Sequence, residues 1–352
     1  MDITPYLKLM IEKNASDIFF TIGSPVKIKI EGKATPVGKT MLTGDLCKAA
    51  AYGIMNQYQT RHFEENMECD FAIASSDGAA RFRVNVFRQR GEVGMVLRLI
   101  PSKIPTIDEM GLPEILKDLI MHKRGLLLMV GATGSGKSTT LAAMINHRNE
   151  NMAGHILTIE DPVEFSHPNK KSIINQREVG VDTLSYRNAL RSSLREAPDV
   201  ILIGEIRDRE TMEAALELSN TGHLAISTLH ANNANQAMER VINLFPQDMH
   251  KQLFMDLSLN IRAVVSQRLV MSIDGKRCAA IEILINTPHI GELILKGDID
   301  ELKVAMAESG AKGMQTFDLA LFNLYKESRI ELEEALNNAD SRTNLEAKIN
   351  FG

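Results

Sequence analysis

The segment Gly131 to Ser138, GATGSGKS, constrains the fold of this chain more than any other stretch. It matches the G-x-x-x-x-G-K-[ST] phosphate loop and stands between a short apolar run, Leu126 to Val130, and a stretch without Gly or Pro, Ser138 to Arg148. A wholly apolar run bracketed by glycines suits a strand buried on both faces of a parallel sheet. The segment after the loop predicts a helix whose N-terminal dipole faces the phosphates. Gly131, Gly134 and Gly136 let the backbone turn its N–H groups inward without Cβ obstruction. Lys137 can then reach the β- and γ-phosphates, and the Ser138 hydroxyl can ligate Mg²⁺. The nucleotide-binding set is therefore Gly131, Ala132, Thr133, Gly134, Ser135, Gly136, Lys137, Ser138 and Thr139.

At 352 residues the chain exceeds one ordinary core, and two domains are expected. A net charge of -5 gives no global attraction to nucleic acid, so no nucleic-acid partner is expected. Cys47, Cys69 and Cys278 are far apart with no C-x-x-C pair, which points to neither a disulfide framework nor a zinc site and fits a reducing cytoplasm. No charged-then-apolar leader opens the chain, and no apolar run approaches the roughly 18 residues needed to span a bilayer, so direct membrane insertion is not expected.

Residues 1 to 100 read as a separate α+β unit. Helices are expected from Pro5 and over Asp45 to Tyr58, and VKIKIEG (Val26 to Gly32) alternates as a half-buried strand should. RFRVNVF (Arg81 to Phe87) alternates likewise, placing Phe82, Val84 and Val86 inward and Arg81 with Arg83 on the outer face; VGMVLRLI (Val93 to Ile100) is a further strand. Three prolines and a glycine mark residues 101 to 113 as a linker. From 114 to 352 strands alternate with helical patterns, which predicts an α/β domain with a mostly parallel, right-handed sheet. A helical C-terminal region begins near 287, where Phe317, Ala320, Leu321, Leu324 and Tyr325 share one face.

A phosphate loop fixes binding, whereas hydrolysis also needs a metal ligand and a group that positions water. DVILIGEIRD (Asp199 to Asp208) runs as an apolar strand into Glu205, which delivers a carboxylate to the carboxyl edge of the sheet; the plain alternative is a strand end paired with Arg207. HILTIEDPVEF (His155 to Phe165) ends in Glu160 and Asp161 in the same way. Two acidic strand ends near one phosphate loop suit a shared Mg²⁺ and water site. GHLAISTLHANNA (Gly222 to Ala234) puts His223 and His230 at opposite ends of a strand, some 23 Å apart at ~3.3 Å per residue, too far to share a metal. His230 stands at the carboxyl edge, where a γ-phosphate sensor belongs. Arginines crowd between 81 and 98; such clusters are usually solvated, but arginines supplied from an adjoining domain or subunit can raise the rate about 10³- to 10⁵-fold.

GATGSGKST, ILTIEDPVEF, REAPDVILIGEIRD and GHLAISTLHANNA stand in the order of the Walker A, Asp, Walker B and His boxes of the secretion ATPase superfamily, and the chain resembles the PilT/PilU retraction ATPases of type IV pili over nearly its whole length. The resemblance implies a RecA-like P-loop NTPase core, an N-terminal PAS-like domain, a hexameric ring, ATP and Mg²⁺. It also implies a cytoplasmic protein peripheral to the inner membrane, with a membrane platform protein and a paralogous retraction ATPase as partners. It assigns phosphate and Mg²⁺ to Lys137 and Ser138, water activation to Glu160, the Walker B acid and metal ligand to Glu205 (with the two glutamate roles open to exchange), γ-phosphate sensing to His230, and finger roles to Arg81, Arg83 or Arg98. HIGELI (His289 to Ile294), in place of the AIRNLI of PilT, together with GMQTFDLALFNLY (Gly313 to Tyr325), looks more like the PilU branch. The expected function is an ATP-driven motor of pilus retraction; the alternatives are a nucleotide-binding adaptor for a paralogue and a RecA-like nucleic-acid translocase.

Overall fold

The computed structural model describes every residue except 31, 76–79, 101, 102 and 352, and the side chain of 351. The chain divides into two compact units, residues 1–103 with 164–166, and residues 104–163 with 167–352.

The first unit runs α1 (Thr4–Glu12), β1 (Asp17–Phe20), β2 (Lys27–Ile30), β3 (Lys33–Pro36), α2 (Gly44–Tyr52), α3 (Gln57–Asn66), β4 (Glu68–Ala74), β5 (Arg81–Gln89) and β6 (Glu92–Ile100). Its six strands form one antiparallel sheet in the order β3-β2-β1-β6-β5-β4. The alternation along β5 does what its pattern requires: Phe82, Val84 and Val86 are fully buried, each stabilising the unit by about 1.5–3 kcal/mol. The single helix expected over 45 to 58 is two. Gly53 closes α2, and Asn56 opens α3 through a reciprocal capping box with Gln59, both bonds being 2.9 Å. Apolar Ile54 and Met55 carry the helical pattern across the turn and hide it from the sequence.

The second unit continues with α4 (Ile115–Ile120), β7 (Gly125–Val130), α5 (Lys137–Asn151), β8 (Gly154–Glu160), β9 (Ser172–Glu178), α6 (Tyr186–Ser193), β10 (Val200–Ile203), α7 (Arg209–Asn220), β11 (Leu224–Leu229), α8 (Ala234–Asn243), α9 (His250–Asn260), β12 (Ile261–Met271), β13 (Arg277–Ile285), α10 (Pro288–Lys296), α11 (Leu302–Glu308), α12 (Phe317–Lys326), α13 (Leu332–Asn338) and α14 (Arg342–Phe351). Its seven-stranded sheet has the order β13-β12-β7-β11-β10-β8-β9, parallel throughout except for the β12–β13 pair. All six residues of β7 are buried, as expected of a strand covered on both faces.

Within the segment read as a linker, residues 101 and 102 lie outside the described residues, while Ile107 and Leu112 are buried in the core of the second unit. In the helical C-terminal region Phe317, Ala320, Leu321 and Leu324 are buried, and Phe317, Leu321 and Leu324 pack with Val270, Ile330 and Leu345. Among the described residues no helix is long and apolar enough to cross a membrane.

Candidate nucleotide site

The phosphate loop joins β7 to α5, as its flanking sequence predicts. Gly131, Gly134 and Gly136 have φ of 154°, 77° and 88°, a region that L side chains rarely adopt. A Cβ on Gly131 would lie 2.5 Å from Ser135 Oγ, and one on Gly136 would lie 2.7 Å from Gln267 Nε2. Lys137 is buried, and its Nζ donates to the carbonyls of Gly131 at 2.7 Å and Ala132 at 2.9 Å, which folds the ammonium back over the loop. Ala132, Thr133 and Gly134 are exposed at the tip, while Ser138 and Thr139 are half-buried in the first turn of α5. No side chain caps that helix, and the buried Ser135 hydroxyl has no hydrogen-bond partner. A loop with left-handed glycines, an uncapped helix start and an orphaned buried hydroxyl fits an anion held by backbone and side-chain donors.

Three strand ends bring the other residues to the same edge. The strand next to β7 is β11, which ends at Leu229 and presents His230; β10 and then β8 follow. Strand β10 stops at Ile203, so Glu205 sits in the loop beyond it rather than on the strand. That loop is clamped: Gly204 N donates to Ile159 O (2.8 Å), Thr228 Oγ1 to Gly204 O (2.6 Å), and Ile206 N to Thr228 O (3.0 Å). The Glu205 side chain is only 16% exposed; its Oε2 accepts from Arg207 Nε at 2.7 Å and its Oε1 lies 3.2 Å from His230 Nε2. The acid thus pairs with Arg207, as the plain alternative held, and also meets the histidine of the next box. The bond to Glu205 raises the Arg207 pKa further.

Glu160 ends β8, with Oε1 accepting from Thr158 Oγ1 (2.6 Å) and Gln176 Nε2 (3.2 Å). Register pairs Ile159 with Ile203, so the two acidic segments leave the sheet side by side. Tyr186, which sequence reasoning missed, reaches between them: a Cβ on Gly204 would lie 2.6 Å from its hydroxyl. Burial, then Asp161, push its phenol well above the ordinary range, so it stays protonated. His223 is a structural residue, with Nδ1 at 3.1 Å from Leu218 O and from Thr221 Oγ1.

Arg81, Arg83 and Arg98 belong to the first unit. Register places Arg83 opposite Arg98, so the three share the face of the sheet that Phe82 and Val84 do not use. Arg98 Nε donates to the buried Asp17 at 2.8 Å.

A cavity of about 720 Å³ adjoins the helix side of the phosphate loop, lined by Gly136, Thr139, Gln267, Leu269, Arg277 and Cys278 among others. A second of about 440 Å³ lies between Ala132 and the His230 loop, where Arg240 donates to the His230 carbonyl at 3.0 Å.

Comparison with known proteins places this arrangement. The Type II/IV secretion system protein family matches residues 1–317. The chain is 54% identical to the type IV pilus ATPase PilU of Pseudomonas aeruginosa, over all of this chain and 92% of that protein. It is 44% identical to the retraction ATPase PilT of the same organism, over 96% of this chain and 98% of that one. A crystal structure of the pilus retraction motor PilT with bound ADP superposes with a TM-score of 0.91 at 41% identity, covering 98% of this chain and 99% of that one. A nucleotide loop, two acidic segments and a histidine on one sheet edge, together with these matches over all or nearly all of the chain, make it a member of the Type II/IV secretion system protein family and, within it, of the PilT/PilU group of ATPases.

Proposed function

We propose that this ATPase is a Mg²⁺-dependent, homohexameric motor that drives or assists retraction of a type IV pilus. The contact between Glu205 and His230, on adjacent strand ends beside the phosphate loop, carries the reading. It joins the group that would hold the metal to the group that would register the γ-phosphate.

In this reading the triphosphate lies on Gly131 to Thr139, and its nucleoside enters the cavity beside Gly136 and Thr139. Lys137 exchanges its two carbonyl partners for phosphate oxygens. Ser138 and Glu205 are the hard oxygen donors suited to Mg²⁺, which when bound neutralises charge on the β- and γ-oxygens. Glu160, steadied by Thr158 and Gln176, orients and deprotonates the attacking water. His230 reports γ-phosphate loss through Glu205. Arg98 is already bonded to Asp17, which favours Arg81 or Arg83 as the finger supplied from an adjoining unit or subunit.

Hydrolysis would then move the two units about the segment that joins them and turn a membrane platform protein, from a cytoplasmic position at the inner membrane. The greater identity to PilU than to PilT supports cooperation with a paralogous ATPase. Phosphate release by Lys137→Ala tests the site: turnover is expected to vanish with the circular dichroism unchanged, and retained turnover would remove the loop from the mechanism. A retraction assay with this protein as sole motor tests autonomy; movement without the paralogue would defeat the adaptor reading.

A further inference from the structure

Both ends of the phosphate loop and the first turn of the helix after it converge on one residue that lies more than a hundred positions away in sequence. Gln267, on β12, is 1% exposed. Its Oε1 accepts a hydrogen bond from the buried Thr140 hydroxyl at 2.8 Å. Its Nε2 stands 2.7 Å from where a Gly136 Cβ would be, and its backbone oxygen 2.6 Å from where a Gly131 Cβ would be. Strand β12 flanks β7 on the side away from β11, pairing Ser266 with Val130 immediately before the loop. Gln267 is also among the residues that line the 720 Å³ cavity.

We infer that Gln267 is a positioning residue for nucleotide binding: its side chain clamps the end of the phosphate loop and the first helical turn after it, and so holds the backbone donors in the phosphate-ready arrangement. The chemistry is that of a planar amide. One oxygen fixes α5 through Thr140, and the amide nitrogen on the same rigid plane fixes how closely Gly136 approaches β12. A buried amide does this without a charge that would compete with phosphate for Lys137. It also bears on why glycine stands at 136, where a Cβ would strike the Gln267 amide as well as force an unfavourable backbone.

The inference rests on the loop being the nucleotide site, and the test separates the two. Titration with fluorescent ADP, alongside steady-state hydrolysis, is carried out on the full-length chain carrying Gln267→Leu, Thr140→Val, both changes, or Thr140→Ser. Gln267→Leu and Thr140→Val should each weaken ADP binding and raise KM for ATP about tenfold, as small misplacements of binding groups do, with kcat within about twofold. The double variant should be no worse than the poorer single one, because both remove one link. Thr140→Ser, which keeps the hydroxyl, should bind like the unaltered protein. Unchanged ADP affinity in Gln267→Leu, or additive losses in the double variant, would overturn the inference. So would equal losses in Thr140→Ser and Thr140→Val, a result that does not depend on Gln267→Leu folding. Lys137→Ala serves as the control: its retained turnover would sink the loop reading itself, whereas normal ADP affinity in the Gln267 variant beside an inactive Lys137→Ala sinks only the clamp.

Discussion

Glu282 offers a measurement in which pH, burial and the His230 loop meet. It lies on β13, is 2% exposed, and through Oε1 accepts from Ala234 N (2.7 Å), at the start of α8, and from Ser266 Oγ (3.0 Å). Burial raises its pKa from the ordinary 4.5 to about 7, against the opposing pull of those two bonds. Between these values the folded protein keeps a proton that the unfolded chain has lost. Stability from this group is therefore fully present below the unfolded value and falls as pH rises through the folded one. The displacement amounts to about 3 kcal/mol in all, most of it lost between pH 5 and pH 8. Glu282→Gln keeps an acceptor for Ala234 and Ser266 but has no proton to lose. Urea denaturation of both proteins at pH 5, 6.5 and 8 should show the variant gaining on the parent by that margin as pH rises. His167, held down at about 4 chiefly by burial, gives the opposite slope but is common to both and cancels in the difference. A stability difference that stays flat across the range would refute the reasoning.

Gly136→Ala combines a left-handed backbone, costing about 1–2 kcal/mol for an L-residue, with a Cβ 2.7 Å from Gln267 Nε2. ADP binding should weaken by about tenfold or more, and wild-type affinity by calorimetry would contradict the loop geometry. Arg268 bonds Asp340 (2.6 Å) and the carbonyls of Asn338 (2.8 Å) and Asn232 (3.2 Å), and lies 3.9 Å from the centre of the Phe317 ring. Arg268→Met should therefore destabilise the protein by about 3 kcal/mol, because Asp340, whose side chain is 9% exposed, loses one of its two ionic partners among the described residues and keeps Lys303. An unchanged urea midpoint would argue against it.

Local chemistry was legible in the sequence wherever a residue type has a single use. Glycines at 131, 134 and 136 with a lysine and a serine behind them specify a phosphate loop, and the alternation at 81 to 87 specifies which side chains face inward. Turn chemistry was less visible: apolar residues across Gly53 masked the break between α2 and α3, and the strand leading to Glu205 read longer than it is. Strand β4, whose Cys69, Phe71 and Ile73 do alternate, the largely polar strand β9, and helix α6, whose Ala189 and Leu190 face inward among polar neighbours and which brings Tyr186 to the acidic strand ends, passed unnoticed.

The sequence by itself determined the chemical inventory: a phosphate loop, two acidic segments, a histidine segment and arginines on one strand face. Only the tertiary structure decided which of these meet. Strand order puts β11 between β7 and β10, so that His230 touches Glu205, and it brings β12 alongside β7, so that Gln267 reaches Thr140. The physical reason is that hydrogen-bonded pairing in a parallel sheet ignores separation along the chain; neighbours are set by crossover connections that no local periodicity encodes.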